Sequence, residues 1–204
     1  MNALLLSAGF GKRMRPKTVN FPKCLFKVNN HVLIDMWIEK CLKLNVRKCL
    51  INVHHLYQKV EVHVKNNFPA KVITVFEPKL LGTAQTIIKN YEILKNDDCI
   101  VIHTDNYCED DLKKLNFSFI NRPKNCLMTM MTFRSKKPET CGIIKTNKSN
   151  IMTEFFEKVK NPPGNQANSA VYIFSRELIR DIKDNYPLAK DISKDIIPNF
   201  KRKI

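Results

Sequence analysis

The chain has 204 residues, 44% of them hydrophobic and 26% charged, which is typical of one globular domain with its own core. Its formal net charge of +16 suits binding to nucleic acid, to an anionic membrane or to phosphorylated small molecules. Nucleic acid is disfavoured because the lysines are spread along the chain instead of clustering with aromatic residues. A membrane span is excluded because no apolar run approaches roughly 20 residues.

The N-terminus and the cysteines both indicate a cytoplasmic protein. Residues 1–6 are too short for the apolar region of a signal peptide and lead directly into a glycine-containing loop. The seven cysteines lie singly, are odd in number and include no C-x-x-C pair, which disfavours a disulfide framework or a zinc site. We therefore expect reduced thiols, a cytoplasmic location, and neither nucleic acid nor a membrane as partner.

In chain order, predicted strands and helices alternate over the first hundred residues. Strands are predicted at residues 3–6, 49–53, 72–76 and 99–102, and helices at 32–44, 56–64 and 83–94. The alternation predicts a Rossmann-like α/β fold, in which a mostly parallel sheet is flanked by helices. Such sheets bind ligands beyond the carboxyl ends of their strands, and four notable positions fall there: Gly9, Asn52, Glu77 and Asp105.

The pattern becomes strand-rich after Asp111. Strands are predicted at residues 127–133, 142–145, 151–156 and 170–174, and closing helices at 175–185 and 192–200. Met128, Met130, Met131 and Phe133 are interpreted as sheet core. We predict one domain over residues 1–204, with a first half at 1–111 and a smaller, strand-rich half at 112–204.

The densest motif reads LSAGFGKRMRPKT at residues 6–18, followed by PKCL at 22–25. Gly9 and Gly11 follow a buried strand, where glycines let the backbone approach phosphate oxygens closely. Arg13 and Lys23 add the positive charge that a polyphosphate requires. A dinucleotide fingerprint is excluded because Met14 stands where its third glycine belongs, and a Walker loop is excluded because Arg13 follows Gly11-Lys12.

The stretch from residue 6 to residue 25 resembles the signature of the sugar-phosphate nucleotidylyltransferases, which include glucose-1-phosphate thymidylyl- and mannose-1-phosphate guanylyltransferases. The resemblance implies transfer of a nucleoside monophosphate from a nucleoside triphosphate to a sugar 1-phosphate, giving an NDP-sugar and pyrophosphate. It implies that Arg13 grips the β- and γ-phosphates and that Lys23 neutralises phosphate charge during transfer. The nucleotide contacts that it implies in this stretch are Leu6, Ala8, Gly9, Gly11 and Lys12.

Two later segments extend the resemblance. Residues 81–84 resemble the base-binding loop, which makes Gly82 and Thr83 nucleotide contacts, although Gln85 stands where many members have glycine and so leaves the base open. Residues 103–106, HTDN, resemble the metal segment and make Asp105 a Mg²⁺ ligand. Outside this context, a single Asp at a strand end is usually a cap or turn residue.

In the second half, residues 141–144, 156–158 and 167–172 resemble the sugar-binding elements of the family. The resemblance implies that the backbone at Gly142 meets sugar hydroxyls, that Glu157 and Asn168 hydrogen-bond them, and that Lys158 holds the sugar phosphate. An ordinary surface Glu-Lys pair is the alternative for residues 157 and 158. The base, the sugar and the oligomeric state stay open, a homo-oligomer among them.

One departure concerns the end of the sequence. Family members usually continue into a segment like Asp-Ile-Gly-Thr whose Asp is a second metal ligand, and no counterpart is evident before Ile204. We expect the chain to lack this segment, which leaves open a shortened chain, a substitute ligand or weakened activity. Two alternatives follow: a weakly active or non-catalytic homologue that binds nucleotide or sugar, and a nucleotidyltransferase with a non-sugar phosphate acceptor.

Two other groupings are weighed as metal or nucleophile sites. His54 and His55 are adjacent, and neighbours on a strand point to opposite faces, which disfavours joint metal binding. His103, Asp105 and Cys108 could suggest zinc or a thiol nucleophile, but no motif supports either.

Overall fold

The computed structural model describes residues 1–70 and 72–204, and these form two compact units. Unit 1 comprises Met1–Leu81 and Cys99–Lys113, and unit 2 comprises Gly82–Asp98 and Lys114–Ile204. The division into functional halves at residue 111 stays a prediction.

Unit 1 is built on four parallel strands among its described residues. They are β1 (Asn2–Leu6), β4 (Cys49–Val53), β5 (Val72–Phe76) and β6 (Cys99–His103), in the order β5-β4-β1-β6. Leu6 pairs in register with Asn52 on one side and with His103 on the other. The loop after β1 therefore starts beside the ends of both neighbouring strands.

Burial explains why these strands are continuous apolar runs. All five residues of β4 are buried, and so are the first four residues of β1 and of β6. A parallel strand covered on both faces needs apolar side chains at successive positions, without alternation. At the edge of the unit 1 sheet, β5 is partly exposed, with Ile73 at 45%.

Helices and a small hairpin are also among the described elements of unit 1. Helix α1 spans Leu33–Lys43 and α2 spans Tyr57–Asn67. On α1, apolar residues recur at helical spacing and are buried, including the fully buried Trp37. The sequence reading missed the two-residue strands β2 (Lys27–Val28) and β3 (His31–Val32), which pair antiparallel before α1.

Unit 2 contains the strand-rich part of the chain. Its strands are β7 (Met128–Arg134), β8 (Gly142–Thr146), β9 (Met152–Glu157) and β10 (Gln166–Phe174), and all of their described pairings with one another are antiparallel. Strand β10 begins four residues earlier than predicted and is irregular between Asn168 and Tyr172. Ala170, inside that irregularity, has a φ of 57°. Ser175 caps the start of helix α6 (Arg176–Asn185), where its side chain accepts the N–H of Leu178.

Three helix predictions need correction. The helix predicted at 83–94 is divided into α3 (Thr83–Lys89) and α4 (Tyr91–Leu94), because Asn90 turns its side-chain amide back onto the carbonyl of Thr86. Helix α5 (Leu112–Ile120) was missed, and the boundary between the units falls within it. The segment predicted as a helix at 192–200 is a π turn over Ile192–Ile196 followed by a 3₁₀ turn over Ile197–Phe200.

The interpretation of residues 128–133 as sheet core holds for only part of the segment. Met128 is buried, Met130 and Met131 are half-buried, and Phe133 is 47% exposed. Successive side chains of β7 point to opposite faces of the sheet, and a run of large apolar residues is buried throughout only where both faces are covered.

The predicted fold class is confirmed. Unit 1 has the parallel strands joined through helices, and unit 2 has the strand-rich part, although unit 2 is not the smaller of the two units. Within residues 1–70 and 72–204, no helix combines the length and apolar character needed to cross a membrane. All seven cysteines are among the described residues, and none forms a disulfide.

Candidate active site

The phosphate loop, defined as residues 7–25, is fixed at its start by two strand ends. Ser7 donates its backbone N–H to Asn52 Oδ1 over 2.7 Å, and its hydroxyl lies 2.8 Å from that of Thr104. Asn52 lies on β4, and Thr104 directly follows β6. These hydrogen bonds fix the direction in which the loop leaves β1.

A buried carboxylate supports this contact. Asn52 donates from Nδ2 to Glu77 Oε1 over 2.9 Å, and Glu77 is fully buried. One amide side chain therefore joins Ser7 to Glu77, because its oxygen accepts from the first and its nitrogen donates to the second. The positions of these residues at strand ends were visible in the sequence, but their pairing was not, because it depends on β4 and β5 being neighbours.

Gly11 determines the course of the loop. Its φ of 63° and ψ of 28° are left-handed, and its carbonyl accepts hydrogen bonds from Met14 N and Thr18 Oγ1, both at 2.9 Å. A Cβ at this position would lie 2.8 Å from Thr18 Cγ2. Both the dihedral angles and the close contact require glycine. A single 3₁₀ turn, Lys12–Met14, follows and leaves Lys12 and Arg13 exposed.

The backbone of this loop is suited to binding an anion. Within the described residues, the amides from Gly9 to Arg13 donate no hydrogen bond to other backbone groups. Gly9 is exposed, and a Cβ added there would have no atom within 4 Å. Successive amides beside two exposed cationic side chains can bind phosphate oxygens. The other two predicted nucleotide contacts, Leu6 and Ala8, are half-buried and buried.

Lys23 and Asp105, which are far apart in sequence, form an ion pair of 2.6 Å between Nζ and Oδ2. Lys23 begins a short 3₁₀ turn, and Asp105 lies two residues after β6. Burial acts to raise the pKa of the Asp105 carboxyl, but the hydrogen bond and charge of Lys23, together with His103, outweigh it. The pKa therefore lies below its ordinary value of 3.8, and the carboxylate is ionised at neutral pH.

Helix α1 anchors the segment that carries Asp105. Trp37 donates its Nε1–H to the carbonyl of Asn106 over 2.9 Å, from a fully buried position. Lys40, three residues further along the helix, donates to the carbonyls of Glu109 and Asp110. The backbone after β6 is thus held on both sides of residue 107, which positions the carboxylate.

Asp105 suits a hard cation such as Mg²⁺, since it is an ionised oxygen ligand beside Lys23 of the phosphate loop. Within residues 1–70 and 72–204, no group of three or more His, Cys, Asp or Glu side chains could hold a metal ion. Mg²⁺ commonly uses one or two carboxylates and takes its other ligands from water and substrate phosphates. The residues present therefore fit a metal that arrives with a polyphosphate.

The remaining predicted nucleotide contacts, Gly82 and Thr83, belong to unit 2. Gly82 has φ 94° and ψ 160°, and Thr83 Oγ1 accepts the N–H of Ile192 over 2.8 Å. Gln85, where the sequence departs from the family pattern, donates to the carbonyls of Pro187 and Ala189. These contacts hold the start of α3 against the segment at 187–192. Residues 82–85 therefore have a structural role in addition to any contact with a nucleotide.

Gly82→Ala should destabilise unit 2 strongly. A Cβ at this position would lie 2.5 Å from the carbonyl oxygen of Lys190, and the backbone conformation is one that side chains rarely adopt. We expect the free energy of unfolding to fall by about 2–5 kcal/mol in chemical denaturation. Gly164→Ala is the matched control, because no atom lies within 4 Å of its added methyl group. Equal stability of the two variants would contradict this assignment.

The four predicted sugar-phosphate contacts also lie in unit 2: Gly142, Glu157 and Asn168 on strands β8, β9 and β10, and Lys158 directly after β9. Gly142 pairs with Glu157, and the Glu157 carboxylate reaches to 2.7 Å from where a Cβ on Gly142 would be. Ala167 pairs with Ile143, so the next step of this antiparallel register brings Asn168 opposite Gly142. The structure thus brings Gly142, Glu157 and Asn168 together.

Lys158 and Asn168 differ in how firmly they are held. Lys158 has an exposed side chain, a φ of 50° and a contact of 3.3 Å to Glu157. Asn168 donates to the hydroxyl of Tyr172 and accepts the N–H of Ala170, each over 2.8 Å. Tyr172, which the sequence places in a sugar-binding element without a role of its own, is fully buried, and that burial raises the pKa of its hydroxyl.

The profile of the nucleotidyl transferase family matches residues 2–203, nearly the whole chain. The chain belongs to this family. The resemblance read from residues 6–25 is thereby confirmed. The roles of individual residues within the family pattern stay predictions.

Two curated proteins are among those that resemble this chain. A Sulfolobus acidocaldarius protein, provisionally named mannose-1-phosphate guanyltransferase, is 28% identical over 98% of this chain and 54% of its own length. The Neurospora crassa mannose-1-phosphate guanyltransferase is 27% identical over 88% of this chain and 50% of its own length. The chain thus spans about half the length of these curated relatives.

The fold of this chain also has counterparts among solved structures. A provisionally named glucose-1-phosphate thymidylyltransferase from Bacillus anthracis, solved in complex with sucrose, superposes with a TM-score of 0.84. The match covers 98% of this chain and 80% of that one, at 22% sequence identity.

Proposed function

We propose that this nucleotidyl transferase moves a nucleoside monophosphate from a nucleoside triphosphate to a sugar 1-phosphate and releases pyrophosphate. The observation that carries the proposal is the pairing of Lys23 with Asp105 beside a glycine loop that bears Arg13. Family membership and the names of the relatives favour this reaction over other uses of a phosphate loop.

The proposed chemistry needs positioning and charge neutralisation rather than a nucleophilic side chain. A phosphate oxygen of the sugar 1-phosphate, already anionic, attacks the α-phosphorus, and the bond to the bridging oxygen of pyrophosphate breaks. Arg13 and the amides of residues 9–13 hold the departing phosphates. Lys23 neutralises charge at the reacting phosphate, which is where charge increases during transfer.

Asp105 is the residue that would hold Mg²⁺. When bound, the ion would neutralise phosphate charge and help to align the triphosphate. In the structure Lys23 lies against Oδ2 of this carboxylate, so the lysine and an incoming cation would share the same group. A triphosphate draws Lys23 towards its own oxygens and so leaves Asp105 available to the metal.

In unit 2, Gly142, Glu157, Lys158 and Asn168 are proposed to bind the sugar 1-phosphate. The close packing of the Glu157 carboxylate over Gly142 supports a carboxylate fixed for hydrogen bonding to hydroxyls. The exposed ammonium of Lys158 supplies charge for the phosphate.

A substrate screen tests the proposal. Four nucleoside triphosphates are each combined with a panel of sugar 1-phosphates and with a non-sugar phosphate monoester, in Mg²⁺, and pyrophosphate release is followed. Because two relatives are named for this pair, GTP with mannose 1-phosphate is the first combination. Pyrophosphate release that requires the sugar 1-phosphate is the expected result. Release with the non-sugar acceptor alone, or binding of both ligands without release, would favour the alternative functions.

Gly9→Ala separates binding from folding. Its added methyl group meets no protein atom within 4 Å, so stability should change by less than about 0.5 kcal/mol. If the loop amides approach the triphosphate, the same methyl group intrudes on the ligand, and nucleotide affinity should fall on the order of tenfold. Calorimetric titration with the triphosphate measures this, with Gly164→Ala as control. Unchanged affinity in Gly9→Ala would place the phosphates away from Gly9.

A further inference from the structure

His55 contacts the phosphate loop at Thr18, a residue that makes no substrate contact in the proposed function. Its Nε2 lies 2.9 Å from the carbonyl oxygen of Thr18. A carbonyl oxygen can only accept, so Nε2 carries the proton and, in a neutral ring, Nδ1 does not. Thr18 is 1% exposed, which makes this a contact shielded from water.

Thr18 in turn fixes Gly11. Its hydroxyl donates to the Gly11 carbonyl over 2.9 Å, and its methyl group leaves no room for a side chain at position 11. The same carbonyl accepts the N–H of Met14, the bond that closes the turn carrying Arg13. Two successive hydrogen bonds therefore lead from His55 to the residue whose left-handed conformation directs the cationic turn.

His54 has a different partner from His55. Its Nδ1 lies 2.8 Å from the Glu77 carbonyl oxygen. The ring of Phe10 meets His54 edge-on with centroids 5.1 Å apart and meets His55 at 5.5 Å. The sequence predicts that the two histidines lie on a strand and point to opposite faces of the sheet. They instead follow the end of β4 at Val53, where both rings can reach Phe10.

We propose that His55 is a positioning residue for the phosphate loop, which acts through Thr18 to hold Gly11 and the turn that carries Arg13. The expected consequence, tighter binding of polyphosphate, rests on the proposed function. That His55 holds the loop does not depend on the proposed function. Two variants separate the parts: His55→Leu removes the N–H donor, and His55→Gln keeps an amide donor on a chain of similar reach.

The loop itself is tested by limited proteolysis of the folded protein with trypsin. The turn contains Lys12 and Arg13, both exposed and both cleavage sites. Cleavage there should be about tenfold faster in His55→Leu than in the wild type, because opening of the loop becomes easier when its tie is removed. His55→Gln should restore resistance to within about threefold, and His31→Gln, at an exposed histidine, should match the wild type. Equal cleavage rates in His55→Leu and the wild type would overturn the proposal.

A second variant guards against a general loss of folding in His55→Leu. Thr18→Val keeps the shape of the side chain and removes only the hydroxyl that binds Gly11. It should accelerate cleavage at the same two sites, and the double variant should be little faster than either single one, since both break one relay. Fully multiplicative effects of the two substitutions would show that His55 does not act through Thr18.

The consequence for binding is measured with inorganic tripolyphosphate, which needs no knowledge of the base. We expect affinity to fall about tenfold in His55→Leu and to recover in His55→Gln. A loosened loop with unchanged tripolyphosphate affinity would overturn the link to phosphate binding. If the wild type itself does not bind tripolyphosphate, the proposed function fails, whereas the proteolysis result still decides whether His55 holds the loop.

Discussion

Lys23→Ala and Arg13→Ala should each lower turnover by about 10²-fold or more while leaving the protein folded. Both side chains neutralise negative charge on phosphate oxygens in the proposed reaction. The charge that they face on the reacting and departing phosphates is greater in the transition state than in the bound substrate. For Lys23 the Michaelis constants should change less than the turnover number, because its contribution is greatest in the transition state. Steady-state kinetics with saturating Mg²⁺ provides the measurement.

Two exposed cationic residues that have no proposed contact with either substrate provide the controls for these variants. Lys27→Ala and Arg180→Ala remove the same charges from exposed positions in β2 and α6. They should retain turnover within about twofold. Loss of the Lys23–Asp105 pair should cost no more than about 1 kcal/mol of stability, since both side chains are partly exposed. Near wild-type turnover in folded Lys23→Ala would remove that lysine from the mechanism.

Asp105→Asn should abolish the dependence of nucleotide binding on Mg²⁺ and lower turnover by about 10²-fold or more. In the wild type, one carboxylate leaves most of the ion's ligand positions to water or phosphate, so Mg²⁺ alone should bind poorly. Metal and triphosphate together should bind with positive coupling, on the order of tenfold. Titration calorimetry with and without Mg²⁺ gives this coupling directly.

The ion pair sharpens the expectation for metal-free binding. Asp105 repels a polyanion and occupies Lys23, so Asp105→Asn should bind the triphosphate without Mg²⁺ at least as tightly as the wild type. Asp110→Asn, an exposed acid in the same segment, should behave like the wild type in both titrations. If Asp105→Asn keeps the full Mg²⁺ enhancement, Asp105 is only a turn residue that pairs with Lys23.

Local patterns predicted most of unit 1, because a buried parallel sheet requires apolar runs whose ends are easy to see. The strands β1, β4, β5 and β6 were located to within one residue. Helix α5 was missed although Leu112, Leu115 and Phe119 have helical spacing and are buried. The helical pattern is short and directly precedes the strand-rich part of the chain, which makes it hard to recognise from sequence alone.

The candidate site shows where sequence reasoning stops. Gly11, Arg13, Lys23 and Asp105 were identified from a motif, but the direct contact between Lys23 and Asp105 depends on strand order. Thr18 and His55 were not assigned roles, because their effect on Gly11 runs through two hydrogen bonds between distant parts of the chain. The cytoplasmic location, the metal and the residue roles stay predictions.

An isotope-label experiment tests most directly whether the chain performs nucleotidyl transfer. The protein is incubated with Mg²⁺, a sugar 1-phosphate and the triphosphate labelled at either the α- or the γ-phosphorus, with GTP and mannose 1-phosphate as the first pair. The proposed reaction predicts α-label in the nucleotide sugar and γ-label in pyrophosphate, both formed at least about 10²-fold more slowly in Lys23→Ala. Label from the γ-position in inorganic phosphate or on the sugar, with no nucleotide sugar formed from any pair that binds, would contradict it.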